Sequence, residues 1–156
     1  MSKVKSYTVN EATKLLERYC IYQDRCHKEV LLKLKNLQMI DVAKEVIILH
    51  LLKHDFLNEE RFAKSYVRGK FRINKWGKNK IVKELKWRGI STYNINTGLK
   101  EIDINDYMDT IVKLANKKRL SIKGENGFII RKKIFNYLYN KGFETSLINE
   151  TLNVLK

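Results

Sequence analysis

The chain has 156 residues, of which 44% are hydrophobic, with no proline and seven glycines. That length suits one compact domain or a few small repeats and excludes two full-size enzyme domains, while the shortage of Pro and Gly excludes a turn-rich β-sandwich and favours long helices with short connections. The net charge of +15 is unevenly placed: residues 1–60 carry 10 Lys/Arg against 9 Asp/Glu, and residues 61–156 carry 22 against 8.

An excess of +14 on the last two-thirds of the chain suggests a polyanionic partner there, either nucleic acid or an acidic protein surface. No run reaches the roughly 18 apolar residues needed to cross a bilayer. The opening "MSKVKSYTVNEATKLLERYC" lacks the apolar core of a signal peptide. A cytoplasmic protein without membrane contact is expected, with Cys20 and Cys26 as two reduced, partly buried thiols.

Taken in chain order, the first helix follows Thr8 as N-cap and runs through "VNEATKLLERYCIY". A second carries Val30 and Leu34, and a third, "DVAKEVIILHLLKHDF", is the most apolar of the chain. His50 and His54 stand four apart on that helix, a spacing that can hold zinc, but no Glu lies between them to complete HExxH. They read as partly buried imidazoles at a helix boundary, and neither metal nor cofactor is expected. Asn58 caps a fourth helix, "EERFAKSYVRGKFR", whose inner face is Phe62, Ala63, Tyr66 and Val67. The fifth lies in "WGKNKIVKELKWRGIS", and the sixth runs from Ser91 or Thr92 to about Lys100. "INDYMDTIVKLANKKR", "GFIIRKKIFNYLYNKG" and "ETSLINETLNVLK" supply the last three.

A repeat is hidden in the spacing. Ile81-x3-Leu85-x3-Gly89-Ile90 recurs as Ile134-x3-Leu138-x3-Gly142-Phe143, and in degraded form as Val30-x3-Leu34-x3-Gln38-Met39. Apolar residues four apart share a helical face, and the glycine then stands where the helix ends in a left-handed residue. The residue after it folds back onto the leucine four before it. Gln38 leaves the first copy with a stop that is strained or made differently. The fold expected is all-α: three tandem three-helix repeats, at 1–57, 58–103 and 104–156, stacked into an elongated, curved rod.

Residues 61–88 hold 11 Lys/Arg and a single acid, Glu84. Arg61, Lys64, Arg68 and Arg72 follow i, i+3, i+7, i+11 along the fourth helix, a stripe opposite Phe62 and Tyr66. Lys75 and Lys78 flank the next turn, where Trp76 beside Gly77 reads as structural. Lys80, Lys83 and Trp87 share the face of the fifth helix turned away from Ile81 and Leu85, with Arg88 at its end. Lysines for phosphates and an exposed ring for stacking are what nucleic-acid binding uses; Trp and Arg also anchor protein interfaces. Lys117, Lys118 and Arg119 with Lys123, then Arg131, Lys132 and Lys133, extend the basic surface if the units repeat in space. Paired acids such as Glu59–Glu60 and Asp103–Asp106 fall at helix starts, where they complement the dipole. No phosphate loop, nucleophile elbow or catalytic set is present, so the chain does not read as an enzyme.

The stretch Leu57 to Ser91, "LNEERFAKSYVRGKF…WGKNKIVKELKWRGIS", resembles the signature of the RecX family, bacterial regulators of the RecA recombinase. The matching positions are Glu59, Glu60, Phe62, Ala63, Tyr66, Val67, Arg68, Gly77, Ile81, Leu85, Arg88, Gly89 and Ile90, with Lys78 where members often have Pro. The resemblance implies tandem three-helix repeats that bind the RecA–DNA filament and restrain strand exchange, ATP turnover and repressor cleavage, in DNA repair and the SOS response. It also implies weaker binding to single- or double-stranded DNA. A monomer is expected. The alternative is a stand-alone DNA-binding protein with a helix-turn-helix-like unit in the major groove. Against it, Asn79 is the lone base-reading candidate on the fifth helix.

Overall fold

The computed structural model describes residues 5–155. The first four residues and the last, which the expected outer units include, lie outside the described residues. Among the described residues there are nine helices: α1 Val9–Tyr22, α2 His27–Asn36, α3 Asp41–Lys53, α4 Glu59–Arg72, α5 Lys78–Trp87, α6 Thr92–Leu99, α7 Ile104–Ser121, α8 Gly127–Asn140 and α9 Thr145–Val154. They pack as three consecutive triplets, α1–α3, α4–α6 and α7–α9, with the most extensive contact between α4 and α6. The accessible surface is 10396 Å², against about 8,200 Å² for a compact monomer of this mass. The chain is extended.

The helix starts follow from local chemistry. The Thr8 hydroxyl accepts from the Glu11 N–H at 3.1 Å while the Glu11 carboxylate accepts from the Thr8 N–H at 3.4 Å, a reciprocal cap. Asn58, Ser91, Asp103 and Asn126 accept from the N–H three residues on, at 2.9 to 3.2 Å.

The helix stops follow the repeat. Gly89 and Gly142 are left-handed, at φ of 77° and 98°. The N–H after each glycine donates back to the leucine carbonyl, Ile90 to Leu85 at 3.1 Å and Phe143 to Leu138 at 3.2 Å. Gln38 makes the same stop with the same bond, Met39 N–H to the Leu34 carbonyl at 3.1 Å, and does so at φ 59°. The strained alternative is the one realised, since a residue with a β-carbon is held in the left-handed region.

The three triplets do not stack equivalently. Ala12, Leu16, Val30, Leu34, Ile47, Leu51 and Leu57 form a core of their own in the first. The second and third share one continuous core, from Phe62, Val67 and Phe71 through Ile81, Leu85 and Tyr107 to Ile134, Leu138, Phe143 and Ile148. At the first junction Cys26 of the first triplet joins that shared core, and polar contacts accompany it: Arg61 Nε donates to Asp24 at 2.6 Å, and His27 Nδ1 lies 2.8 Å from Glu59 without hydrogen-bond alignment. The second is apolar and backbone-to-backbone, with Tyr107 between Phe71 and Phe143 at ring separations of 5.7 and 5.4 Å.

A candidate polyanion-binding face

Helix α5 begins at Gly77, which has no side chain to cap it. Its free N–H groups are met by the third triplet instead: Gly77 N–H by the Lys141 carbonyl at 2.7 Å, Lys78 N–H by the Tyr107 hydroxyl at 3.0 Å, and Asn79 N–H by the Gly142 carbonyl at 2.9 Å. The Tyr107 hydroxyl in turn donates to the Glu144 carboxylate. Burial first, then that bond, push the Tyr107 phenol far above its usual range. This docking fixes where the basic side chains of α5 stand relative to those of α7 and α8.

Lys141 sits in a positive field at the docked end. Burial, then the charges of Lys80 and Lys117, hold the Lys141 ammonium below its ordinary pKa, and its Nζ donates to the Asn74 carbonyl at 2.7 Å. Lys80 Nζ also lies 4.4 Å from the centre of the Trp76 ring, with Lys70 Nζ at 4.8 Å. Trp76 is thereby held as a half-buried structural platform. Like charges gathered this way are a standing electrostatic cost that a bound anion relieves.

The α4 stripe divides. Arg61 is already engaged by the scaffold. Its guanidinium donates to Asp24, to the Asp55 carboxylate at 3.0 Å, and to the Asp55 and Phe56 carbonyls at 3.0 and 3.3 Å. It ties the first triplet to the second, a partnership that sets it apart from the rest of the expected stripe. The sequence distance to Asp24 hid the pairing. Lys64 pairs with Glu60 at 3.2 Å and Arg68 with Glu101 at 3.5 Å, both partly exposed. Arg72, Lys75 and Lys83 stand exposed with no carboxylate partner among the described residues.

At the other end of α5, Trp87 is 64% exposed. Lys28 Nζ lies 3.6 Å from its ring centre and donates to its carbonyl at 3.0 Å, so one face carries a cation and the ring stays accessible. Arg88 reaches Glu84 at 3.3 Å and lies over Tyr66 at 4.9 Å. Lys78 Nζ sits 4.9 Å from the Tyr107 ring, and Lys118 Nζ 5.1 Å from the Tyr137 ring. Lys117 and Lys132 are exposed and Arg119 half-buried. Arg131 is drawn into the scaffold, donating to the Leu152 carbonyl at 3.1 Å and the Asn153 side chain at 2.7 Å. Lys133 pairs with Glu125 at 3.1 Å.

Lys141, Lys28 and Lys70 were not singled out from the sequence. For Lys141 the signal was there: Lys141-Gly142-Phe143 is the repeat copy of Arg88-Gly89-Ile90. Among the described residues no cluster of three potential metal ligands exists, and no helix is long and apolar enough to cross a membrane. His50 instead meets Glu17 at 2.8 Å.

The fold is that of an all-α tandem-repeat protein, with an excess of basic side chains on its second and third triplets. Models of the second and third three-helix domains of RecX match residues 58–99 and 105–152. The chain belongs to the RecX family. It is similar to the Regulatory protein RecX of Clostridioides difficile strain 630, at 32% identity over 71% of this chain and 52% of the relative, and to that of Clostridium acetobutylicum, at 31% over 82% and 61%. The chain thus spans between half and two-thirds of the length of these curated relatives. The crystal structure of RecX from Lactobacillus salivarius superposes with a TM-score of 0.84 at 26% identity, covering 94% of this chain and 96% of that one.

Proposed function

We propose that this chain is a non-catalytic regulator that binds the RecA–DNA filament in the cytoplasm and restrains strand exchange, ATP turnover and repressor cleavage. The observation that supports this best is the set of exposed basic side chains without a carboxylate partner among the described residues, Lys83 of α5 and Lys117 of α7 beside Arg72 and Lys75, on the two triplets that share a core. The Lys83 and Lys117 amines come from separate helices held by one shared core, so they present a fixed array to an extended anionic partner. Acidic recombinase surface and DNA phosphates both satisfy it, with charge supplying encounter and Trp87 supplying residence. On this reading the basic face spans 58–103 and 104–156 as a single body, and 1–57 is a separate, nearly neutral unit.

The test is RecA-coated single-stranded DNA challenged with this chain while ATP hydrolysis is followed. Inhibition is expected to persist at physiological salt, while binding to DNA alone is weak and falls steeply as salt rises. Combined Arg72→Ala, Lys83→Ala and Lys117→Ala should weaken inhibition about tenfold without lowering helicity. Tight, sequence-selective duplex binding without recombinase, and no effect on the filament, would instead make the chain a stand-alone DNA-binding protein.

A further inference from the structure

Helix α3 buries Ala43, Ile47 and Leu51 against its own triplet, yet its opposite face is also apolar. Val42, Val46, Leu49 and Leu52 are 68%, 54%, 66% and 40% exposed, and Ile40 at the cap is 73% exposed. A helix that is apolar all round is normally a buried helix. Apolar side chains exposed together along one helix face mark an interaction surface.

The charges on the helix say what covers it. Asp41 and Lys44 pair with each other at 3.4 Å, and His50 meets Glu17. Glu45 and Lys53 are exposed and have no partner among the described residues. They stand one turn on either side of Leu49, the centre of the exposed stripe. An antiparallel second helix of the same sequence, crossing at Leu49, sets each Glu45 at the level of the other copy's Lys53 and each Val46 at the level of the other copy's Leu52. That is the self-complementarity of a two-fold interface, in which i meets j and j meets i. A parallel copy would set like against like. The wider charge distribution agrees. Residues 1–60 carry a net of only +1, so this is where two copies of a +15 chain approach with least repulsion.

We infer that α3 is a homodimerisation helix, pairing antiparallel with α3 of a second copy through Val42, Val46, Leu49 and Leu52, with Glu45 and Lys53 setting the register. The dimer departs from the monomer expected above. The interface patch is small beside the roughly 800 Å² per partner of a standard interface, so the association is concentration-dependent.

The test is sedimentation equilibrium of the full chain at physiological salt, from micromolar to several hundred micromolar. The weight-average mass is expected to rise from 18.5 kDa toward twice that value. Leu49→Glu should raise the dimer dissociation constant more than tenfold with unchanged helicity, because the side chain is exposed in the monomer. Glu45→Lys and Lys53→Glu should each weaken association several-fold, and the double exchange should restore it. A monomer at every concentration, a dimer indifferent to Leu49→Glu, or a double exchange as weak as the single variants would each overturn the inference.

Discussion

Gly77 and Gly142 meet backbone to backbone across the junction of the second and third triplets. A β-carbon on Gly77 would fall 2.3 Å from the Gly142 carbonyl carbon, and one on Gly142 would fall 2.3 Å from Lys80 Cβ and 2.6 Å from its backbone nitrogen. Neither neighbour is a flexible side-chain tip. The first prediction follows from comparing these glycines with Gly89, which is left-handed but has nothing within 4 Å of its missing side chain. Gly77→Ala should cost about 3 kcal/mol, because the backbones must separate. Gly89→Ala should cost about 1 kcal/mol, the conformational term alone. Chemical denaturation of the two variants checks this, and equal costs would mean the junction gives way freely.

Tyr107 is the second joint between the same triplets. Its side chain is fully buried and its hydroxyl is both acceptor for Lys78 N–H and donor to Glu144. Tyr107→Phe keeps the ring between Phe71 and Phe143 and removes only the oxygen. The variant leaves an amide and a carboxylate short of a partner, and should lose about 2–3 kcal/mol in urea unfolding. Lys78→Pro removes the same N–H from the other side. A proline suits a first helical position in general, but at this one it should destabilise the chain rather than pre-organise it.

Much of this was legible beforehand, and the limits are physical. The glycine–apolar spacing marked the stops of α5 and α8 because a Schellman turn is local, and the same holds for the caps at Thr8 and Asn58. What periodicity does not encode is which triplet leans on which. Gly77 belongs to the recognised signature, yet the reason only glycine fits lies at Gly142, on another triplet. Arg61 fell on the basic stripe because helical spacing records direction around an axis and is blind to Asp24, which arrives from the first triplet. Lys141 was passed over because it stood outside a run of basic residues, although the repeat placed it beside the same turn as Arg88.

Gln38 carries a third prediction. It occupies φ 59° where the other two copies of the repeat have glycine, and its side chain is exposed. Gln38→Gly should remove left-handed strain at the stop of α2, offset in part by greater freedom of the unfolded chain, for a net gain of about 0.5–1 kcal/mol. Thermal unfolding should rise by about 2–3 °C. An unchanged or lower midpoint would show that the turn is held without strain.

The two thiols give a fourth. Cys20 and Cys26 are buried, and burial is the leading cause that raises both above the ordinary thiol value. Both should react with a disulfide reagent at neutral pH only as fast as the chain opens. Each should become fully reactive in denaturant, and rapid labelling of the native chain would contradict their placement.

The last prediction concerns the polar contacts of the first junction, where the energetics differ in kind from those at Gly77. Arg61 joins Asp24 of the α1–α2 turn to Asp55 and the chain end of α3. Its side chain is 38% exposed, so solvent screens part of each charge interaction. Arg61→Ala should therefore cost about 1–2 kcal/mol, well below the value for a fully buried pair. The loss should appear as faster amide exchange across α1–α3, whose core is separate, while Ile81, Leu85 and Leu138 keep their protection. The pH dependence has a defined sign. The bond from Asn58, then the charge of Arg61, lower the Asp55 pKa from 3.8, so its contribution is complete above that value and disappears as pH falls through the lower folded one. The stability gap between the parent chain and Arg61→Ala should be level from pH 7 to about 5 and shrink below about pH 4. A gap that stays level into acid would mean that Arg61 is held by its carbonyl acceptors, and that the carboxylates contribute nothing to the junction.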